Sequence, residues 1–247
     1  AALRAVLPGA VFATPCHSDK FKHKARADLI ITLNATQDAA ARLTQPHVRV
    51  ALLGNPYVAP SPSPLPPGGP VRFNFVGRFI DTKDPETMLR AAKQTRALNA
   101  EFRFIGAGEL ETDLLRLAAE LGVSAAFPGW APAPFAAFHQ NDVLVLPSLW
   151  EGLPYLLQEA LDHGVPIIAA DNAGNRTALQ NGEFGSLFPL RDVGALSACM
   201  ERAQANLDEL KVKAEKGRAQ LRARYGAAGF WSALKAELEQ AGASRHV

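Results

Sequence analysis

The chain has 247 residues, 48% of them hydrophobic, with 26 Lys and Arg against 24 Asp and Glu for a formal charge of +2. That length suits one large domain or two small ones around a packed core; no run of about 18 apolar residues spans a bilayer, and nothing reads as a signal peptide. The near-neutral charge and 8% aromatic content argue against a nucleic-acid partner, and Cys16 and Cys199 are too few for a disulfide framework or metal cluster, the usage of a reducing cytoplasm.

Basic residues concentrate once, at His17, Lys20, Lys22, His23, Lys24 and Arg26, opposed by Asp19 and Asp28. Such a loop is either solvated or a docking patch for anionic lipid or a phosphorylated acceptor, so any membrane contact is peripheral. Apolar runs of strand length follow at 29–33 and 50–53, with a third strand near Val11. A proline-rich run at 57–70 can form neither helix nor interior strand and reads as an extended, semi-rigid linker. Beyond it, strands at 71–76, 102–105, 143–146 and 167–170 alternate with helical patterns at 85–98, 111–121 and 154–163. Unpatterned apolar strands between amphipathic helices imply a parallel sheet covered on both faces. Two charged helical stretches close the chain, at 208–225 and 227–240, and Phe230, Trp231, Leu234 and Leu238 form a packing stripe on the last.

The turn at 151–159 carries the most chemistry. Glu151 and Glu159 stand eight positions apart between a buried strand and a helix. Gly152 lets backbone approach a ligand closely, and Pro154 suits a first helical position because it has no N–H to leave unpaired. The free N–H groups and positive dipole end of the helix favour phosphate. Glu159, over one turn further on, is placed to accept paired hydroxyl hydrogen bonds from a sugar.

This spacing, with Pro147-Ser148 before it and Ala160-Leu161-Asp162-His163-Gly164-Val165-Pro166 after it, resembles the donor-site motif of retaining glycosyltransferases of family four, which have the GT-B fold. Phe75-Val-Gly-Arg-Phe-Ile-Asp-Thr-Lys83 looks like that family's strand-Gly-Arg-x4-Lys element, Phe104-Ile-Gly-Ala-Gly-Glu109 like its second Gly-x-Gly turn, and Phe127-Pro-Gly129 like its Phe-x-Gly loop. Order and spacing agree from about Asp28 to Phe188.

The resemblance implies an α/β fold, a doubly wound parallel Rossmann-like sheet of GT-B type, with one complete domain and part of a second. Residues 1–56 are then the remnant of an amino-terminal domain whose first part is absent, 57–70 the linker, 71–225 the donor-binding domain, and 226–247 a helix crossing back to the first domain. It further implies sugar transfer, with retention and without metal, from a UDP-, GDP- or ADP-sugar to a glycan or lipid-linked hydroxyl acceptor in glycan or lipopolysaccharide synthesis. Acceptor recognition belongs to the absent part, so this chain alone is expected to be inactive.

A leaving diphosphate needs cations facing it. With no Asp-x-Asp pair and no His/Cys cluster, the candidates are Arg78 and Lys83 beside Gly77, with backbone donors at Leu153 and Tyr155; in isolation this Arg and Lys would read as solvating residues. Glu159 is implied to hold the ribose hydroxyls and Glu151 the donor sugar. His17 resembles the histidine facing that sugar, and His23 competes for the role. Trp130 has two open readings, core packing or the flank of a nucleobase. Gly106-Ala-Gly108 reads as a tight turn, since the third glycine of a dinucleotide fingerprint is missing. Two positions depart from the common family pattern: Pro154 replaces a Gly, and Thr177 a Glu after the loop Asp171-Asn-Ala-Gly-Asn-Arg176. Two rivals stand beside this reading: a nucleotide-sugar binding module without catalysis, and an epimerase or phosphorylase of the same architecture, against which the Glu-x7-Glu spacing speaks.

Overall fold

The computed structural model describes residues 10–17, 24, 26–58, 62–95 and 100–243. It divides into two compact units, Ala1–Val58 with Arg222–Val247, and Ala59–Leu221. In the first, β1 (Ala13–Pro15), β2 (Leu29–Thr32) and β3 (Arg49–Leu52) form a parallel sheet in that order, and α1 (Ala35–Thr44) connects the last two. Asn34 starts α1 from an extended conformation, its side chain accepting from Gln37 N at 3.0 Å. Such a cap contributes about 1 kcal/mol.

The second unit holds β4 (Arg72–Val76), α2 (Pro85–Gln94), β5 (Glu101–Ile105), α3 (Glu111–Leu121), β6 (Ala125–Gly129), β7 (Asp142–Leu146), α4 (Tyr155–Asp162), β8 (Ile167–Ala170), α5 (Ala173–Ala178), β9 (Ser186–Phe188), α6 (Val193–Ala205) and most of α7 (Leu207–Tyr225). All six strands are parallel in the order β6-β5-β4-β7-β8-β9. Counted from β4 this is the doubly wound order, whose switch point lies between β4 and β7. Phe73, Phe75, Phe79, Phe104 and Phe188 are buried in one core, with Phe75 stacked on Phe104 at 5.9 Å and Phe104 on Phe127 at 5.1 Å. Each buried ring contributes roughly 1.5–3 kcal/mol over exposure, which holds the strand ends and their loops in place.

Several boundaries differ from the sequence expectation. β6 and β9 carry no clear apolar run: β6 is an edge strand with alternating exposure that tolerates Pro128, and β9 has only three residues. α2 ends at Gln94 rather than 98, and residues 96–99 lie outside the described residues. Pro154 is the N-cap of α4, not its first helical residue. Its ψ of 122° is extended, although its φ of −72° would fit either state.

α8 (Ala227–Ala243) packs on the first unit's sheet, with Leu234, Leu238 and Ala241 against Leu29, Ile31 and Ala51, and Glu237 accepting from Arg49 Nε at 2.6 Å. Trp231 leaves the expected stripe and is 57% exposed, because one residue along a helix turns about 100° away from buried Phe230. In the second unit the linker is fastened to the segment before β7: Gln140 N donates to Pro66 O at 3.0 Å and Asn141 Nδ2 to Gly69 O at 2.7 Å. Proline lacks the donor but keeps the acceptor, so a proline-rich run can still be held this way. Among the described residues no helix is long and apolar enough to cross a membrane.

Candidate functional site

The loops at the carboxyl ends of β4, β5 and β6 are bonded to one another. Gly77 N donates to Ile105 O at 3.0 Å, Phe79 N to Ala107 O at 2.9 Å, and Gly106 N to Gly129 O at 2.9 Å. A Cβ on Gly106 would collide with the Gly77 carbonyl oxygen, and one on Gly108 with the backbone of Phe79. Glycine is needed at both because two backbones touch there, the tight turn expected from the sequence. Between these loops a cavity of about 170 Å³ is lined by Val76, Gly77, Arg78, Ile105, Gly106 and Trp130, among others. Trp130 is 72% exposed on its rim, which removes the core reading of that residue. Arg78 is exposed as well.

At the switch point, a 3₁₀ turn (Asp81–Lys83) after β4 meets the loop after β7. Leu149 N donates to Thr82 O at 2.9 Å, and Lys83 Nζ forms an ion pair with Glu151 Oε1 at 2.6 Å. Glu151 is 8% exposed, so it pairs with Lys83 in a poorly solvated place. The ammonium has three donors and gives one to Glu151, leaving two for an incoming anion, while Glu151 keeps a second oxygen for a hydroxyl. The sequence names both residues but not their pairing, which spans 68 positions and has no local signal.

α4 begins beside this pair. Leu157 N and Gln158 N turn back to Pro154 O, whereas the N–H groups of Tyr155 and Leu156 meet no described residue. The exposed Tyr155 and the intermediate Gly152 flank buried Leu153 and Pro154. Glu159 is half-buried and without a side-chain partner among the described residues, and burial pushes its carboxyl above the usual carboxylate range. An isolated carboxylate held in that state is suited to receive hydroxyl donors. Trp150, 47% exposed beside Glu151, is an aromatic at the site that the sequence reading did not single out; an aromatic next to a motif carboxylate was the only signal for it.

The structure therefore gathers Gly77, Arg78, Lys83, Trp130, Glu151, Gly152, Leu153, Pro154, Tyr155 and Glu159 on the carboxyl edge of one sheet. His17 belongs to the other unit, where it is exposed. His23, Lys20, Lys22 and Asp19 lie outside the described residues. A larger cavity of about 540 Å³ opens beside β3 in the first unit, but its arginines are engaged, Arg42 with Asp38 and the Val50 carbonyl and Arg49 with Glu237. Among the described residues, no group of three or more His, Cys, Asp or Glu could hold a metal ion.

Residues 70–206 match the family model for Glycosyl transferases group 1. The chain is 32% identical over 137 residues to the UDP-Gal:alpha-D-GlcNAc-diphosphoundecaprenol alpha-1,3-galactosyltransferase of Escherichia coli, a stretch covering 53% of this chain and 35% of that protein. It is 31% identical over 186 residues to the D-inositol 3-phosphate glycosyltransferase of Nocardia farcinica (strain IFM 10152), covering 70% of this chain and 40% of that one. The matched stretches thus cover well under half the length of these curated relatives. Among solved structures, Anabaena HepE in complex with UDP aligns with a TM-score of 0.77 at 15% identity, over 97% of this chain and 75% of that one. Sucrose-phosphate synthase from Thermosynechococcus elongatus aligns with a TM-score of 0.75 at 19% identity, over 94% and 68%. At these identities the likeness establishes the GT-B fold.

Proposed function

The chain belongs to the Glycosyl transferases group 1 family, and on that premise we propose that its second unit binds a nucleoside diphosphate sugar, a UDP-sugar foremost, for transfer to a glycan or lipid-linked hydroxyl. The observation that carries this is the Lys83–Glu151 ion pair at the switch point, next to the unpaired N–H groups that open α4. Lys83 and Arg78 receive the diphosphate with the Tyr155 and Leu156 N–H groups, as charge-assisted donors. Glu151 then takes the donor sugar's hydroxyls and Glu159 the ribose hydroxyls. The nucleobase enters the cavity beside Trp130. Strand order supports this layout, because β6 and β7 are three steps apart. At ~4.8 Å per step the carboxyl ends of β6 and β7 lie about 14 Å apart, within reach of one extended sugar nucleotide.

The choice of UDP follows the galactosyltransferase whose name carries UDP-Gal and the UDP complex of HepE. No side chain of the site is an evident nucleophile. The resemblance to retaining glycosyltransferases implies front-face attack with retention, the leaving diphosphate assisting deprotonation of the acceptor, and on this reading Arg78 and Lys83 supply the charge stabilisation in place of a metal. Calorimetric titration with UDP, with and without EDTA, tests the core of this. Affinity should be unchanged by the chelator and should fall by about 1.5–3 kcal/mol in Lys83→Ala, the range for hydrogen bonds to charged groups. Loss of binding in EDTA would overturn the metal-free reading, and full affinity in Lys83→Ala would overturn that residue's role.

A further inference from the structure

The junction of β8 and α5, formed by Asp171, Asn172 and the first residues of the helix, has no part in the site just described, yet it touches the Glu151 loop twice. Asn172, buried, donates from Nδ2 to the Ser148 carbonyl at 2.8 Å while its Oδ1 accepts from Asn175 N at 2.9 Å. One side chain thus caps α5 and holds the neighbouring loop. Gly174 lies so close to that loop that a Cβ would stand 2.5 Å from the Glu151 carbonyl oxygen and 2.8 Å from that of Gly152. Both contacts are with backbone, which cannot swing aside as a flexible side chain would. Asn175 Nδ2 anchors the start of α5 to Ala170 O at 2.8 Å. On the opposite side, Leu149 N is held by Thr82 O at 2.9 Å, in the 3₁₀ turn that carries Lys83. The Glu151 loop is therefore clasped between two elements, one presenting its ion-pair partner and the other fixing its backbone. The Ser148 hydroxyl is buried and has no hydrogen-bond partner among the described residues, so it does not hold the loop in the clasp's place.

We propose that Asn172 and Gly174 are positioning residues of the donor site: they fix the backbone of residues 148–152, and through it the direction of the Glu151 carboxylate and its pairing with Lys83. Taking Glu151 as the ligand of the donor sugar proposed above, loss of the clasp misdirects the sugar contact and leaves the nucleotide contacts in place. Pre-organised ligands of this kind lose their advantage when displaced by about an ångström.

The test uses the whole chain with UDP and UDP-galactose as probes. Asn172→Ser keeps a helix-capping oxygen but is too short to reach Ser148 O. Gly174→Ala pushes directly on the Glu151 carbonyl. Each should weaken UDP-galactose at least tenfold and UDP less than threefold. Thr177→Ala, which removes only a bond within α5 to Ala173 O, should change neither. Amide hydrogen exchange over residues 149–153 supplies a readout without ligand: it should quicken in Asn172→Ser and Gly174→Ala but not in Thr177→Ala. Equal losses for both probes, or unchanged exchange in Asn172→Ser, would overturn the proposal. A wild-type chain that binds neither probe would overturn the donor-site reading instead, and the exchange result would still judge the clasp.

Discussion

Neutralising one half of the Lys83–Glu151 pair at a time, by Lys83→Met and Glu151→Gln, measures how closely the two are coupled in solution. The Nζ–Oε1 distance is 2.6 Å, Glu151 is 8% exposed, and the Lys83 side chain is 25% exposed. Breaking a fully buried pair costs about 3–5 kcal/mol because the surviving charge is left unsolvated. Lys83 reaches solvent in part, which lowers the expected cost of Lys83→Met to about 2 kcal/mol. The double variant leaves no lone charge, so it should be about 2 kcal/mol more stable than the sum of the single losses predicts, a coupling typical of residues in contact. In a unit of this size that corresponds to about 4–8 °C in Tm. Urea unfolding followed by circular dichroism gives the four free energies of the cycle. Strict additivity, with each single loss under about 0.5 kcal/mol, would refute the pair and with it the geometry of the switch point. A second arm uses the same proteins: Glu151→Gln should weaken UDP-galactose and spare UDP, whereas Lys83→Met should weaken both.

Glu159→Ala should weaken UDP more than 2′-deoxy-UDP in parallel calorimetric titrations, because the deoxy ligand has already lost one of the paired contacts; equal losses would mean a purely structural carboxylate. Burial holds the Glu159 carboxyl above the usual range in the free protein, and hydroxyl donors favour its ionised form, so UDP binding should release a proton near that pKa. Affinity should accordingly rise as pH climbs through it, and Glu159→Gln should flatten the profile. By the same sign, ionising Glu159 costs stability as pH rises through the raised pKa, so Glu159→Gln should raise Tm at pH 7. Trp130→Ala should weaken UDP by about 1–2 kcal/mol while leaving thermal stability within about 0.5 kcal/mol, the signature of an exposed ring that serves a ligand. Gly106→Ala should instead lower stability by more than about 2 kcal/mol in the same unfolding assay, since its Cβ meets the Gly77 carbonyl.

The parallel class of the sheets is legible in the sequence, because strands buried on both faces, such as Asp142–Leu146 and Ile167–Ala170, are apolar without alternation. The strand-to-helix turn that carries Glu151 is legible too, since its residues are neighbours in sequence. What local pattern could not carry was β6 and β9, which sit at sheet edges where half-exposed or very short strands need no apolar run. Nor could it decide the exposure of Trp130 and Trp231: an indole is equally apolar in either place, and only the neighbours available on each face decide whether it is covered. The Lys83–Glu151 pair and the Asn172–Ser148 clasp belong to the same class of fact. They join segments 68 and 24 positions apart, and those segments meet because β4, β7 and β8 lie side by side in register. Residue types and local turns are properties of the sequence, but which loop stands next to which is set by strand order, and strand order is a property of the closed core.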